Sequence, residues 1–480
     1  MKRLWNCIFL IILISVFSCG KPATKSYTPQ DIQEAFRGGQ YSFATHLTDS
    51  LINRGNADSS TIANLLSMKD MADRVLSDFR LSDSTVNARL TKEFGTYSTE
   101  EKEMWEKNNW LEYRLIDGKK LYFSRAVSNL KLILASRQPA RLGAASPTTD
   151  PFSIFCLDHS RKVIAESSTG KPVVPQNLKI TYSLTVDADA VPDGEIIRCW
   201  MPWPKESHNR QANVAFLKSV PENHFISPDS VGQRSVYMEQ KAIKGKPTLF
   251  EIGFTYQPMA QFFDLNHLKI LPYDTTSQVF KKNTIEQLPQ IAFSNEIKYL
   301  SDSIIGGSKK PIDKVKKLYY WINDHIIWTG ALEYSIISDI PGYVLHNRRG
   351  DCGMQTLLFM TMARYQGIPV KWQSGWMMHP GKVNLHDWAE VYYEGVGWVP
   401  LDMSFNLQQS ANLTEKEFYI SGIDAYRLIV NDAISSEFVP TKKFPRSEPY
   451  DFQRGEVEWR GGNLYFNKWD YHMEVARMNE

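Results

Sequence analysis

One stretch decides the fold and the chemistry of this chain: RRGDCGMQTLLFMTMARYQGIP, residues 348–369. Within it, residues 354–366 carry a broad apolar face at helical spacing, which predicts a helix that Gly367 ends as a left-handed stop. Cys352 therefore lies at the N-terminus of this helix. The exposed N–H groups and the positive end of the helix dipole there favour a thiolate, the nucleophilic form of cysteine, and could also donate to an oxyanion.

A candidate base and its partner follow on two predicted strands. Residues 384–393 are rich in β-branched and aromatic residues and contain His386. The next predicted strand, residues 396–402, ends at Asp402. An imidazole that a carboxylate orients can act as the base for a thiol, so these residue types in this order indicate nucleophilic thiol catalysis.

Hairpin register decides whether His386 and Asp402 can interact. With a three-residue loop, 393–395, Tyr392 opposes Val396 and His386 directly opposes Asp402. A two-residue turn would place the two side chains on opposite faces, because a one-residue slip turns every side chain over. We therefore predict the three-residue loop, in which directly opposed side chains lie within hydrogen-bonding reach.

The segment from about residue 311 to residue 406 resembles the core of the transglutaminase-like superfamily. That family has Gly-x-Cys at the start of a helix that ends in Gly-Ile-Pro, then His-x-Trp on one strand and Gly-Trp-x-x-x-Asp on the next. The matching elements here are, in order, Gly350-Asp351-Cys352, Gly367-Ile368-Pro369, His386-Asp387-Trp388 and Gly397-Trp398-Val399-Pro400-Leu401-Asp402. One departure is Met403-Ser404 after the aspartate, where Pro with a small hydroxyl residue is common.

The resemblance implies a papain-like α+β core with a Cys-His-Asp triad. Cys352 would attack an amide or ester carbonyl after giving its proton to His386, while Asp402 fixes the imidazole tautomer. The resemblance also implies a second oxyanion donor from the segment before the cysteine loop, for which Trp328 and Tyr334 are the candidates. Each of these two aromatic residues could instead be a packing residue.

Other sites of chemistry are not indicated by the sequence. His379 lies in a predicted loop, where it could line a substrate groove, although we expect a solvated side chain. No pair of His or Cys has zinc-ligand spacing, and there is no calcium-loop pattern and no phosphate-cradling glycine run. We predict no cofactor and no metal.

The length and composition of the chain are typical of a globular protein with several domains. The chain has 480 residues, of which 42% are hydrophobic and 22% charged, and its formal net charge is +2. This length predicts two to four domains. The mixed charge gives no electrostatic footprint for nucleic acid, so we expect no nucleic-acid partner.

Hydrophobic periodicity divides the chain into segments of different type. Up to about residue 137 the pattern is helical, apart from a hairpin at Asp117-Gly118, and a loop rich in Pro, Ser and Thr at about 139–151 predicts a linker. From Asn177 the period changes to two, which predicts antiparallel strands. We therefore expect an α+β protein with these parts: a signal peptide (1–19), a helical N-terminal domain with linker (20–150), an antiparallel β-sandwich domain (151–290), a transglutaminase-like core (291–422) and a β-rich C-terminal extension (423–480).

The first twenty residues carry a targeting signal. Lys2 and Arg3 precede the apolar run 8–16, which is too short to span a bilayer, and Ser18 and Cys19 follow it. This layout resembles a bacterial lipoprotein signal, in which Cys19 would become the lipidated first residue; an ordinary signal peptide is the alternative. We expect a membrane anchor that faces the periplasm, with exposure at the cell surface as the other outcome.

Of the five cysteines, Cys7 lies in the segment that would be removed and Cys19 would carry the lipid. Three cysteines remain. Cys156 and Cys199 could form a disulfide or could each be a small buried apolar residue, and we favour two buried thiols. Cys352 is then the thiol available for chemistry.

The function expected from these features is that of a cysteine peptidase or amidase that acts on peptide-like amides through a thioester. Two alternatives stay open. An amine could resolve the thioester, which would make the protein a cross-linking transferase, or the core could be a non-catalytic scaffold of the cell envelope.

Overall fold

The structure is a computed structural model, and it describes residues 27–55, 57–137 and 150–478. The predicted signal peptide with Cys19 lies outside the described residues, as does most of the predicted linker. Packing divides the chain into two compact units, residues 1–69 and 70–480. The domain bounds given above stay predictions.

The first compact unit is helical where the structure describes it. Its elements are α1 (Pro29–Arg37), α2 (Tyr41–Arg54) and the first part of α3 (Ser59–Asp78). Thr28 and Asp31 form a capping box at the start of α1, in which each side chain accepts a hydrogen bond from the backbone N–H of the other. Ile32 and Phe36, four residues apart, are buried on one face of this helix.

The second unit begins with helices around a small antiparallel sheet of order β1-β3-β2. The elements are β1 (Phe79–Leu81), α4 (Asp83–Phe94), α5 (Thr99–Lys107), β2 (Tyr113–Ile116), β3 (Lys119–Phe123) and α6 (Ala126–Arg137). Ile116 pairs with Lys119 around Asp117 and Gly118, whose φ angles are 49° and 74°. This two-residue turn with two positive φ angles confirms the predicted hairpin.

One helix and a series of antiparallel strands follow. They are α7 (Pro151–Glu166), β4 (Leu178–Val186), β5 (Ile196–Pro202), β6 (Gln211–Val220), β7 (Phe225–Ile226), β8 (Ser235–Lys241), β9 (Thr248–Pro258) and β10 (Gln261–Phe262). Every second residue of β4 from Leu178 is at most 1% exposed, so the period of two in the sequence marks one buried face as predicted.

The helical part of the candidate core comes next. Its elements are α8 (Gln278–Asn283), α9 (Asn295–Ile305), α10 (Pro311–His325), β11 (Ile327–Trp328), α11 (Ile340–Asn347), β12 (Arg349–Gly350) and α12 (Cys352–Tyr365). Helix α12 begins at Cys352, as predicted, and Gly367 follows it with a φ of 72°. All residues from 353 to 364 are buried, because α12 contacts α9, α10 and α11 as well as the strands beside it.

The remaining elements are mostly strands. They are β13 (Val370–His379), β14 (Lys382–Tyr393), β15 (Gly397–Leu401), α13 (Leu413–Lys416), α14 (Phe418–Ser421), β16 (Gly422–Ile423), β17 (Arg427–Asn431), β18 (Glu456–Trp459), β19 (Gly462–Leu464) and β20 (Trp469–Arg477).

Three larger sheets organise the second unit. The core sheet has the order β15-β14-β13-β17, and the two others have the orders β19-β18-β5-β8-β7 and β20-β4-β9-β6. Strands β18 and β20, near the end of the sequence, pair with β5 and β4. One hydrophobic cluster contains buried residues of all three sheets, among them Tyr182, Trp200 and Trp376. The β-rich C-terminal segment is therefore built into the same sheets as the segment before the core.

These antiparallel sheets with separate groups of helices confirm the predicted α+β class. In the part of the chain that the structure describes, no helix combines the length and the apolar character needed to cross a membrane.

Candidate active site

Cys352 is the first residue of α12, and the residue before it caps the helix. Asp351 accepts a hydrogen bond from the backbone N–H of Met354 at 3.1 Å, and the Tyr334 hydroxyl donates to the same carboxylate oxygen. A short parallel pairing of Trp328 with Gly350 holds the chain just before the cysteine. The position of Cys352, the candidate nucleophile, is thus fixed by the Asp351 cap and by the strand pair that precedes it.

His386 and Asp402 form a buried hydrogen-bonded pair. The distance between His386 Nε2 and Asp402 Oδ2 is 2.7 Å, which leaves Nδ1 as the free ring nitrogen. Burial lowers the pKa of His386, although Asp402 opposes this effect. Burial alone would raise the pKa of Asp402, but His386 and Arg427 bring it below its usual value. The arrangement is therefore a neutral imidazole against a carboxylate.

The register of β14 and β15 differs from the predicted one by two residues. Tyr392 pairs with Trp398 and Tyr393 with Gly397, so the three-residue loop is 394–396 and not 393–395. Because the shift is an even number, His386 and Asp402 still lie on the same face, but as diagonal neighbours and not as a directly opposed pair. Direct opposition was wrong, and the predicted contact between the two side chains is confirmed.

The thiol of Cys352 contacts a different group from the predicted one. Its Sγ donates a hydrogen bond to Asp387 Oδ2 at 3.4 Å. Within residues 150–478, no hydrogen bond joins this sulfur to His386. Burial, followed by the nearby carboxyl groups of Asp387 and Asp351, raises the pKa of Cys352 well above its usual value. The expected thiolate is therefore wrong for this arrangement, since desolvation and acidic neighbours outweigh the helix N-terminus.

Asp387 is held between the thiol and a loop near the end of the sequence. Gln453 Nε2 donates to Asp387 Oδ1 at 2.7 Å and to the backbone carbonyl of His386 at 2.9 Å. Burial and the carboxyl groups of Asp451 and Asp351 raise the pKa of Asp387 well above its usual value. Asp387 is thus a neutral acid group beside a neutral thiol.

Gly353, next to Cys352, lies at a position that has no room for a side chain. A Cβ atom on Gly353 would lie 2.3 Å from the Tyr334 hydroxyl and 2.6 Å from Asp387 Oδ2, closer than real side chains approach. The absence of a side chain lets Tyr334 reach Asp351 and lets Asp387 reach the thiol.

The two oxyanion candidates lie in different environments. Tyr334 is buried, and its hydroxyl is used by Asp351, which gives it a role in the cap. Trp328 is 44% exposed and lines both cavities that meet at Cys352. The role of either residue as an oxyanion donor stays a prediction, and the position of Trp328 leaves it free for that role.

Two cavities meet at the thiol. One, of about 490 Å³, contains His386 and the apolar side chains Phe152, Leu157, Met377 and Phe405 in its lining. The other, of about 170 Å³, is lined by Cys352 and mostly by polar and charged residues, without His386. Among the residues that the structure describes, Cys352 is the one with a nucleophilic side chain that lines both.

A second histidine and aspartate lie beside the first pair. His379 is 1% exposed, and its Nε2 lies 3.1 Å from Asp424 Oδ1. Arg427 joins the two pairs, because it donates to Asp402 at 2.7 Å and to Asp424 at 2.6 Å. Aromatic rings of Phe152, Phe155, Phe405 and Tyr426 surround His379. The expected solvated side chain at His379 is therefore wrong.

The other two described cysteines are buried and unpaired. Cys156 and Cys199 are free thiols, which confirms the favoured alternative of the sequence analysis. Burial raises the pKa of Cys156 to about 12 and that of Cys199 well above its usual value. Of these two thiols only Cys156 lines the larger cavity, and neither lies at the N-terminus of a helix as Cys352 does.

Comparisons with known proteins agree with the sequence motifs. Residues 298–403 match the model of the transglutaminase-like superfamily. The uncharacterized protein YebA of Bacillus subtilis is 19% identical in an alignment of 293 residues, and the match covers 54% of this chain and 38% of YebA. The chain thus spans less than half the length of that relative.

Two solved structures are also similar at low identity. One is a Cytophaga hutchinsonii protein called a "putative cysteine protease", with 15% identity, a TM-score of 0.43 and coverage of 64% of this chain and 92% of that one. The other is the periplasmic domain of TgpA from Pseudomonas aeruginosa, with 13% identity, a TM-score of 0.27 and coverage of 52% and 90%.

Proposed function

We propose that this chain, whose residues 298–403 match the model of the transglutaminase-like superfamily, is a cysteine hydrolase that cleaves peptide-like amides through a thioester at Cys352. The observation that carries the proposal is the buried pair of His386 and Asp402, whose histidine lines the same cavity as the cysteine at the N-terminus of α12.

The reaction begins from a neutral thiol and a neutral imidazole. Cys352 turns its sulfur from Asp387 toward the larger cavity, where Nδ1 of His386 takes the proton as the sulfur attacks the carbonyl carbon. Asp402 keeps the proton of Nε2 in place and stabilises the imidazolium that forms. Backbone N–H groups at the start of α12, with Trp328 as the second candidate donor, face the developing oxyanion.

Collapse of the tetrahedral intermediate breaks the carbon–nitrogen bond. His386 gives its proton to the leaving amine, and the acyl group stays on Cys352 as a thioester. A water molecule then gives a proton to His386 and attacks the thioester. The carbon–sulfur bond breaks, the acid is released, and His386 passes the proton to the sulfur, which restores the thiol. In a transferase, an amine would take the place of this water.

A second candidate function has one observation in its favour. The thiol of Cys352 donates a hydrogen bond to Asp387, and its pKa is raised, as expected of a core that binds a partner without catalysing a reaction. In either case we propose that Cys19 carries a lipid anchor and that the protein faces the periplasm; for the hydrolase, peptides and peptide-like cell-wall components there are the substrate class.

A thiol-reactive probe separates the candidates. Labelling of Cys352 by a peptide chloromethyl ketone, measured by intact mass, is expected to fall at least about tenfold in His386→Ala, because this reagent needs a base-assisted attack. The Cys352→Ala variant is the control for labelling elsewhere. Labelling that is the same with and without His386 would contradict the catalytic pair and favour the binding module.

Products then separate hydrolysis from transfer. A peptide-library digest is run with and without a primary amine, and the products are analysed by mass. Cleavage without incorporation of the amine supports the hydrolase, whereas cross-linked products would assign the transferase.

A further inference from the structure

The smaller cavity beside Cys352 is acidic. Five carboxyl side chains line it: Glu333, Asp351, Asp387, Glu448 and Asp451. Two guanidinium groups, those of Arg125 and Arg454, line it as well. We name this space the acidic cavity.

Protein groups satisfy only part of this acidic lining. Arg454 pairs with Glu333 at 2.7 Å and also with Glu448, so that one cation serves two carboxylates. Asp351 is used by the cap of α12, and Asp387 by Gln453 and the thiol. These four carboxyl groups therefore have partners in the protein.

Asp451 is the exception. It is 9% exposed and lines the acidic cavity, yet its carboxyl oxygens accept no hydrogen bond from any residue between 150 and 478. Burial and the neighbouring Glu448 raise its pKa. A carboxyl group in this position lacks a hydrogen-bond partner from the protein, and a cation that enters the cavity would favour its ionised form. Arg125, which lines the same cavity, is exposed and forms no ion pair within the described ranges.

The position of His386 shows which part of a substrate would enter the acidic cavity. In the proposed reaction His386 gives its proton to the leaving amine, so the leaving group lies on the side of the larger cavity, which His386 lines. The acidic cavity is lined by Cys352 but not by His386. It therefore lies on the side of the acyl group that becomes attached to the sulfur.

We propose that the acidic cavity binds a primary ammonium group on the acyl part of the substrate, with Asp451 as its main partner. The enzyme would then cleave after a residue that carries an amine, either on its side chain or as a free α-amino group. A volume of about 170 Å³ suits one such group. This inference rests on the proposed function and adds the substrate class.

Paired covalent probes test the inference on the full chain. Acetyl-lysyl and acetyl-norleucyl chloromethyl ketones differ mainly by the terminal amine, and both report on Cys352 by intact mass. We expect the lysyl reagent to label at least about tenfold faster, which is the factor for one charge-assisted hydrogen bond to a buried carboxylate. A second pair, alanyl chloromethyl ketone with and without an acetyl group, tests the α-amino group in the same way.

Variants assign the effect to the cavity. Asp451→Asn keeps the shape of the side chain and breaks no hydrogen bond, so it is expected to reduce the rate ratio to about threefold or less, while Asp470→Asn, an exposed position, leaves it unchanged. A rate preference in either pair supports the proposal and locates the amine. Equal rates in both pairs, or a preference that survives in Asp451→Asn, would overturn it.

Failure of the proposed function gives a different result. In that case both reagents of each pair label Cys352 at the same rate in His386→Ala as in the unchanged protein. Rates that depend on His386 but not on the amine leave the hydrolase in place and remove only the ammonium site. Should Asp451→Asn not fold, the two reagent pairs on the unchanged protein still decide the question.

Discussion

Arg427 donates a hydrogen bond to Asp402 Oδ2, the same oxygen that His386 contacts, and both distances are 2.7 Å. This carboxylate therefore has a permanent cation on one side and the imidazole on the other. Arg427 is buried and also bonds to Asp424. We infer that Arg427 is a positioning residue for the catalytic pair.

Removal of this guanidinium should change the pH profile. Arg427 lowers the pKa of Asp402, so Arg427→Lys, which bonds to only one carboxylate at a time, should let that pKa rise. The proposed reaction needs the carboxylate, and the acidic limb of kcat/KM against pH should therefore move to higher pH. Arg427→Met would leave two buried carboxylates without a cation and is expected to cost about 3–5 kcal/mol of folding stability. An acidic limb that stays in place in Arg427→Lys would show that Arg427 only supports the fold.

Alkylation of Cys352 should be slow at neutral pH. Its raised pKa keeps the thiolate fraction low, so the rate with iodoacetamide should keep rising with pH throughout the alkaline range. In Asp387→Asn the neighbouring acid group is gone, and the profile should move to lower pH. Mass spectrometry of the alkylated peptide gives both rates, and Cys352→Ala serves as the blank. A fast rate already at pH 6 would instead indicate a preformed thiolate.

Gly353 should not tolerate a side chain. In Gly353→Ala the added Cβ would displace Tyr334 or Asp387, and we expect a loss of about 1–3 kcal/mol in the free energy of unfolding. Chemical denaturation measures this loss. Gly307→Ala is a matched control, because nothing lies within 4 Å of its Cβ position and it should be near neutral. Equal stability of the two variants would mean that the crowding at Gly353 is relieved without cost.

Trp328 and Tyr334 should respond differently to substitution by Phe. If the indole N–H of Trp328 donates to the oxyanion, Trp328→Phe should lower kcat by about 10²–10³-fold with little change in KM. Tyr334→Phe loses the bond to Asp351 and should cost about 1 kcal/mol of stability. Steady-state kinetics and thermal unfolding of both variants give the comparison. An unchanged kcat in Trp328→Phe would leave the backbone N–H groups of α12 as the donors.

Local patterns predicted the central elements of the core. Helix α12 begins at Cys352 because Asp351 can cap it, and Gly367 ends it, and both signals lie within the segment itself. The contact of His386 with Asp402 also followed from one hairpin. An even shift of the register preserved it, whereas an odd shift would have destroyed it.

The rest of the site depends on contacts between distant segments. Arg427 reaches Asp402 because β17 pairs with the edge of β13 that is opposite to β14. No local sequence pattern predicts that pairing. A charged residue directly before the apolar run 428–430 was the available signal, since buried charges need partners. The raised pKa of Cys352 depends on the folded position of Asp387, so the helix N-terminus alone gave the wrong expectation.

The amide of Gln453 holds both Asp387 and the backbone of His386, although it lies 101 residues after Cys352 in the sequence. Together with Glu448, Asp451 and Arg454 it places one wall of the acidic cavity beyond residues 298–403, the part that the family model matches. Residues 298–403 alone therefore do not contain the whole site. A gene fusion or an excised fragment that carried only this part would keep Cys352, His386 and Asp402 and lose Gln453 and the other residues of that wall, so a search for proteins with the same site has to compare the later loop as well as the motifs.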